Sequence, residues 1–177
     1  SFIIVNDTLN VKVLNFTSSG ARLNPADAGD LTYTSSNESV VIVENGIIKA
    51  IGAGTAIVTV SFNGTDVYAA AENKTITVNV GLNDASVSVN NSTLDLSVGD
   101  NFTIVANTVP AGLNVTYIVD NSGVVSVDEN GVVTALKEGT ASIIVKVGGD
   151  GVYAENSTTV AVAVSKMPTA IIVQNAT

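Results

Sequence analysis

Apolar and polar residues alternate in short runs along the chain. The second half shows it most plainly. Val87 and Val89 fall on one face, then Leu94, Leu96 and Val98, then Phe102, Ile104 and Ala106. Beyond Pro110 come Val115 and Tyr117, Val125 and Val127, Val133 and Ala135, Ile143, Val145 and Val147, and Val160, Val162 and Val164. A period of two, punctuated by Gly, Asn and Asp, marks half-buried strands. It predicts seven or eight strands in this half, and the first half predicts the same set. No stretch has a helical period. Strands at this density over about eighty residues make a two-sheet sandwich. The expected fold is therefore all-β, two tandem β-sandwich domains in an elongated arrangement.

The pattern is a repeat. Asn45-Gly46 returns as Asn130-Gly131, Gly54-Thr55 as Gly139-Thr140, Pro25 as Pro110 and Tyr68 as Tyr153. Tyr33 matches Tyr117, and Asn15-Phe16-Thr17 matches Asn101-Phe102-Thr103. Asn-Gly between apolar runs predicts a two-residue hairpin turn in each copy, with both residues at positive φ. The boundaries read as 1–80 for one sandwich, 81–83 for a short linker and 84–164 for the second sandwich. Residues 165–177 read as a junction followed by the first strand of a third copy, because Ala170-Ile171-Ile172-Val173 resembles Phe2-Ile3-Ile4-Val5.

Composition narrows the setting. Hydrophobic residues make up 46% of the 177 and aromatics only 5%, without Trp. Val and Thr abound, which favours strands. Sixteen acidic side chains against seven basic give a net charge of −9. Without a basic cluster, nucleic acid is not an expected partner, and no docking on anionic lipid is expected. No apolar run reaches membrane-spanning length. Cys and His are both absent, which removes disulfides, thiolate chemistry and the commonest general base and metal ligand.

The run from Tyr33 to Val60 carries Ser35-Ser36-Asn37, the apolar stretch Val40-Val41-Ile42-Val43, Asn45-Gly46 and Gly54-Thr55. With the corresponding run from Tyr117 to Val147, it resembles the bacterial immunoglobulin-like repeat, group 2. The likeness covers essentially the whole chain. Tyr stands where that family has Trp in the third strand, and copy two carries Asp120-Asn121-Ser122 in place of Ser-Ser-Asn. The loops Asp66-Val67-Tyr68-Ala69 and Gly151-Val152-Tyr153-Ala154-Glu155 resemble repeats in adhesin-like surface proteins of methanogenic archaea. The resemblance implies an extracellular, modular, non-enzymatic protein with no shared catalytic residues.

Candidate chemistry is sparse. Eleven of 19 asparagines start an Asn-x-Ser/Thr sequon, where chance gives about four. They are Asn6, Asn15, Asn37, Asn63, Asn73, Asn90, Asn91, Asn101, Asn114, Asn156 and Asn175. The excess points to N-glycosylation of an exported protein. Outward-facing polar residues at i and i+2 of a strand generate the same motif without a glycan. Tyr68 and Tyr153 read as structural plugs at the sandwich ends, and Tyr33 and Tyr117 as core. Gly46 and Gly131 read as turn residues. Asp66, Asp84, Asp128, Glu129 and Asp150 lie in Gly/Asn-rich turns and are the candidate calcium ligands, although turn chemistry accounts for them without an ion. No other cofactor is expected. Lys146 faces away from Val145 and Val147, so no internal Lys–Asn crosslink is expected. The chain thus reads as stalk repeats that carry a binding region away from the cell envelope, in company with neighbouring repeats. At roughly 3.3 Å per strand residue, two domains would make a rod of about 70–80 Å. The competing reading is a module that itself grips a cell-surface glycan or protein.

Overall fold

The computed structural model describes residues 1–12 and 31–173. Every regular element among them is a strand. The chain divides into two compact units, Ser1–Asn83 and Asp84–Thr177. Each unit is a β-sandwich built from two main sheets.

Unit 1 carries β1 (Phe2–Ile4), β2 (Thr8–Asn10), β3 (Thr32–Ser35), β4 (Val41–Glu44), β5 (Ile47–Ala50), β6 (Gly54–Phe62) and β7 (Ala71–Gly81). One sheet runs β1-β7-β6-β3 and the other β2-β5-β4. Strand β1 lies parallel to β7, with Ile3 opposite Val80.

Unit 2 carries β8 (Ser86–Val89), β9 (Thr93–Ser97), β10 (Asn101–Thr103), β11 (Ala106–Val109), β12 (Val115–Val119), β13 (Val125–Val127), β14 (Val132–Ala135), β15 (Gly139–Val147) and β16 (Asn156–Ser165). Its sheets run β12-β15-β16-β9 and β10-β14-β13, with β8 and β11 paired separately. The parallel contact recurs as β9 on β16, with Leu96 opposite Val164.

Alternation decides which side chains enter the core. In β15, Ala141, Ile143, Val145 and Val147 are buried, and in β16 so are Val160, Val162 and Val164. They pack against Ile104, Val125, Val133 and Ala135 from the facing sheet. In unit 1, Ala56, Val58, Val60, Val78 and Val80 of one sheet are buried, as are Val41, Ile48 and Ala50 of the other. Among the described residues no buried residue is polar or charged. Desolvated apolar surface therefore drives this packing, at roughly 25 cal/mol per Å².

Three expectations are corrected. Among the described residues unit 2 has nine strands, because one run read as a single strand, Phe102 to Ala106, changes sheet midway. Ile104 N–H bonds to the Gly131 carbonyl of one sheet. The next residue, Val105, bonds instead to the Asn90 side chain at 3.0 Å, beside β8. Second, the counterpart of Asn101-Phe102-Thr103 is Thr8–Asn10: Leu9 pairs with Ile48 as Phe102 pairs with Val133. Asn15-Phe16-Thr17, like Pro25, lies outside the described residues. Third, only the first hairpin has a two-residue turn, with Asn45 at φ 50° and Gly46 at φ 79°. The second is longer. Asp128 and Val132 close it, Gly131 N–H bonds the Asp128 carbonyl at 3.1 Å, and Gly131 supplies the positive φ of 78°.

Candidate functional site

The repeated turn is built from a glycine, a tyrosine and a strand carbonyl. In unit 2 a Cβ on Gly131 would stand 2.7 Å from Tyr117 Oη and 2.8 Å from the Ile104 carbonyl. In unit 1 a Cβ on Gly46 would stand 3.2 Å from Tyr33 Oη. Each ring thus reaches from β3 or β12 across to the Asn-Gly turn of the opposite sheet, and both tyrosines are half-buried. Burial raises the Tyr117 hydroxyl above its ordinary value of 10.0, and the Asp128 carboxylate adds to the shift. Both effects disfavour phenolate.

The second repeated contact sets Gly54 and Gly139 against valines. A Cβ on either would come within 2.9 Å of a valine methyl, Val40 in unit 1 and Val124 in unit 2. A third closes the turn that leaves β3 and β12: the Asn37 carbonyl accepts from Val40 and Val41 N–H, and the Asn121 carbonyl from Val124 and Val125 N–H. Beside them, Ser36 Oγ accepts from Ile57 N–H at 2.8 Å, and Asp120 Oδ1 accepts from Ser142 N–H at 2.7 Å. Asp120-Asn121 therefore performs in copy two the work of Ser36-Asn37 in copy one.

Tyr68 and Tyr153 occupy equivalent half-buried loop positions. Their backbone N–H groups are held by Thr65 Oγ1 at 3.1 Å and Asp150 Oδ1 at 2.8 Å. The bonds from Tyr153 N–H, and then from Val152 N–H, hold the Asp150 carboxyl below its ordinary value. One role is filled by a hydroxyl in one copy and a carboxylate in the other. Asp128 is likewise a turn cap, accepting from Asn130 and Val132 N–H at 2.9 and 2.8 Å. Among the described residues no three acidic side chains converge to form a metal site. Asp66, Asp84, Asp128, Glu129 and Asp150 are not brought together.

The sequon asparagines Asn6, Asn37, Asn63, Asn73, Asn90, Asn91, Asn101 and Asn114 are exposed, and Asn156 is half-buried. Asn15 and Asn175 lie outside the described residues. Several are already hydrogen-bonded. Asn37 Oδ1 accepts from Ser39 Oγ at 2.7 Å, Asn101 Oδ1 from Thr134 Oγ1 at 2.7 Å, and Asn156 Oδ1 from Val87 N–H at 3.1 Å. Lys146 pairs with Glu155 at 2.5 Å.

An open groove of about 290 Å³ crosses the outer face of β9, β15 and β16, lined by Thr93, Asp95, Asp120, Thr140, Ser142 and the alanines of β16. It offers hydroxyls and carboxylates for hydrogen bonding. It brings no nucleophile and base together.

One pair of repeated residues escaped the sequence reading. Asp7 Oδ2 accepts from Ile4 N–H at 3.2 Å, and Asp100 Oδ2 from Ser97 N–H at 2.8 Å. Both close the turn that carries the chain from one sheet to the other. The available signal was a shared Val-x-Asp, Val5 to Asp7 and Val98 to Asp100.

Residues 113–166 match the model of the Bacterial Ig-like domain, Big-like. The Bacterial Ig-like match takes in β12 to β16, and with them Tyr117, Gly131 and Gly139. No curated protein matches the chain significantly in sequence. Among solved structures, domains 4 and 5 of the S-layer protein SbsC align at 24% identity with a TM-score of 0.37, over 89% of this chain and 82% of that one. The chain spans 22% of a longer SbsC structure. Human mucin-like protocadherin EC1-2 aligns at 10% identity with a TM-score of 0.42, over 95% of this chain and 96% of that one.

Proposed function

We propose that the chain is a pair of structural repeats from a cell-surface, adhesin-like protein, spacing a binding region from the envelope and performing no catalysis. One observation carries the reading. What the two units share is scaffold: the tyrosine over the Asn-Gly turn, the glycine against a valine, the asparagine carbonyl turn and the aspartate at the sheet crossover. Outward positions differ freely. Ile57 pairs with Thr77 in unit 1 where Ser142 pairs with Ala161 in unit 2, and Thr59 stands where Ile144 does. A binding site used twice would repeat the outward set. The Bacterial Ig-like match over 113–166 supports the same reading. The exposed sequons fit an exported glycoprotein, and the loop resemblance to methanogen surface proteins fits an archaeal source.

A second reading rests on Ile118 and Ile144. They are paired across β12 and β15, yet 50% and 39% exposed, and this apolar pair could seat a partner protein. Two assays separate the readings. The purified chain is tested on a glycan array and for adhesion to cells, and an antibody to unit 2 is tested on intact cells of the native host. The stalk reading expects surface labelling with neither glycan binding nor adhesion by the chain alone. Adhesion that is lost in Ile118→Thr/Ile144→Thr would establish the binding module instead. Absence of surface labelling would contradict both.

A further inference from the structure

An asparagine can react with its own main chain. The backbone nitrogen of the next residue attacks the side-chain carbonyl carbon, which is one reason asparagine is thermolabile. Glycine in the next position leaves that nitrogen least crowded, because it has no Cβ. The chain has three such steps, Asn45-Gly46, Asn63-Gly64 and Asn130-Gly131. The fold treats them differently.

Two of them are held. Gly131 N–H, which must give up its proton before its nitrogen can attack, donates to the Asp128 carbonyl at 3.1 Å. Asn130 N–H and Val132 N–H on either side donate to Asp128 Oδ1 at 2.9 and 2.8 Å, and the Gly131 carbonyl accepts from Ile104 N–H at 2.9 Å. Asn45 and Gly46 sit at φ 50° and 79°, the pattern of a type I′ hairpin turn. The first central residue of that turn has ψ of about +30°. At that ψ the Gly46 nitrogen and the Asn45 Cβ lie on opposite sides of the Asn45 Cα–C bond. Reaction at Asn130 waits for a hydrogen bond to break, and reaction at Asn45 for its peptide to turn over.

Asn63 is held in neither way. It is exposed and lies outside every strand. Among the described residues neither its side chain nor Gly64 N–H has a hydrogen-bond partner. The loop also demands a glycine there. Gly64 lies at φ 86°, and a Cβ on it would stand 2.6 Å from the Tyr68 carbonyl oxygen and 2.7 Å from Ala70 N. Unit 2 meets the same demand with Gly148, packed against the Ala154 carbonyl, but there Val147 precedes the glycine. We propose that Asn63 is the residue at which this chain first modifies itself. Gly64 N loses its proton to solvent base and attacks Asn63 Cγ, the Cγ–Nδ2 bond breaks, and Nδ2 leaves as ammonia with a proton from water. The cyclic imide takes up one water at either carbonyl and opens to aspartate or isoaspartate. Either product adds a negative charge, and isoaspartate adds a methylene to the main chain in the loop that carries Tyr68.

Peptide mapping tests this. The full chain is made in a host without N-glycosylation, because Asn63-Gly64-Thr65 is also a sequon. Folded and urea-unfolded samples are held at mildly alkaline pH, and mass spectrometry with electron-transfer fragmentation follows aspartate and isoaspartate at all three sites. In the folded chain Asn63 should convert at least about tenfold faster than Asn45 or Asn130, since those two react only from locally opened turns. In urea the three should convert at similar rates, which assigns the difference to the fold. Conversion of Asn45 or Asn130 as fast as Asn63 in the folded chain overturns the proposal. So does a folded chain whose Asn63 stays intact while the unfolded chain converts.

Discussion

Gly131 is the most constrained residue of the repeated turn. A side chain there meets Tyr117 Oη and the Ile104 carbonyl at under 3 Å, in a backbone at φ 78°. Rigid carbonyl and ring cannot both retreat. Gly131→Val should therefore cost about 1–3 kcal/mol, read as a lowered urea midpoint. Gly46→Val should cost less, since its nearest contact is 3.2 Å. Equal stability of Gly131→Val and the native chain would contradict the turn. Tyr117 provides a pH test. Its folded pKa lies above 10.0, so the folded state favours the neutral phenol. The resulting stability is fully present below the unfolded value and is lost as pH climbs through the raised one. The melting temperature should fall above about pH 10, and Tyr117→Phe should flatten that fall. The sequence disclosed the roles of glycine and tyrosine here through their repetition. It did not disclose that Thr65 and Asp150, or Ser36 and Asp120, do one job, because hydrogen-bond equivalence is invisible to residue identity.

At the scale of elements, period-two alternation located the long strands well, since a side chain on the wrong face of β15 or β16 would be stranded in solvent or in the core. Ile143 and Ile144 are neighbours with opposite fates, one 0% and the other 39% exposed. Ile143→Ala should cost about 2–5 kcal/mol through a core cavity. Ile144→Ala should stay within about 0.5 kcal/mol. Denaturant melts of the two variants check this, and a similar loss in both would mean the faces are misassigned. Alternation failed where strands change sheet. Phe102, Ile104 and Ala106 keep a period of two through the switch, so β10 and β11 read as one strand. Only the backbone partners of Ile104 and Val105 separate them.

For the whole molecule, two copies of one plan were legible because Asn-Gly, Gly-Thr and Tyr recur at nearly fixed spacing. The alignment before them was not. Val11 bonds the Gly46 carbonyl as Ile104 bonds the Gly131 carbonyl, yet the first copy has eight more residues in between. A chance Asn-Phe-Thr at Asn15 supplied a false anchor. The second hairpin's extra residue is why Tyr33 and Tyr117 are 84 apart and Gly46 and Gly131 are 85 apart.

Residue-resolved amide hydrogen exchange on the intact chain tests most directly whether one sandwich is built twice. The slowest amides should come in matched pairs from the central strands, Val58 with Ile143 and Val78 with Val162, each bonded across a β6·β7 or β15·β16 ladder. Both units should show that set, with exchange fast in the loops of Tyr68 and Tyr153. Protection confined to one unit, or falling at unmatched positions in the two, would contradict the account.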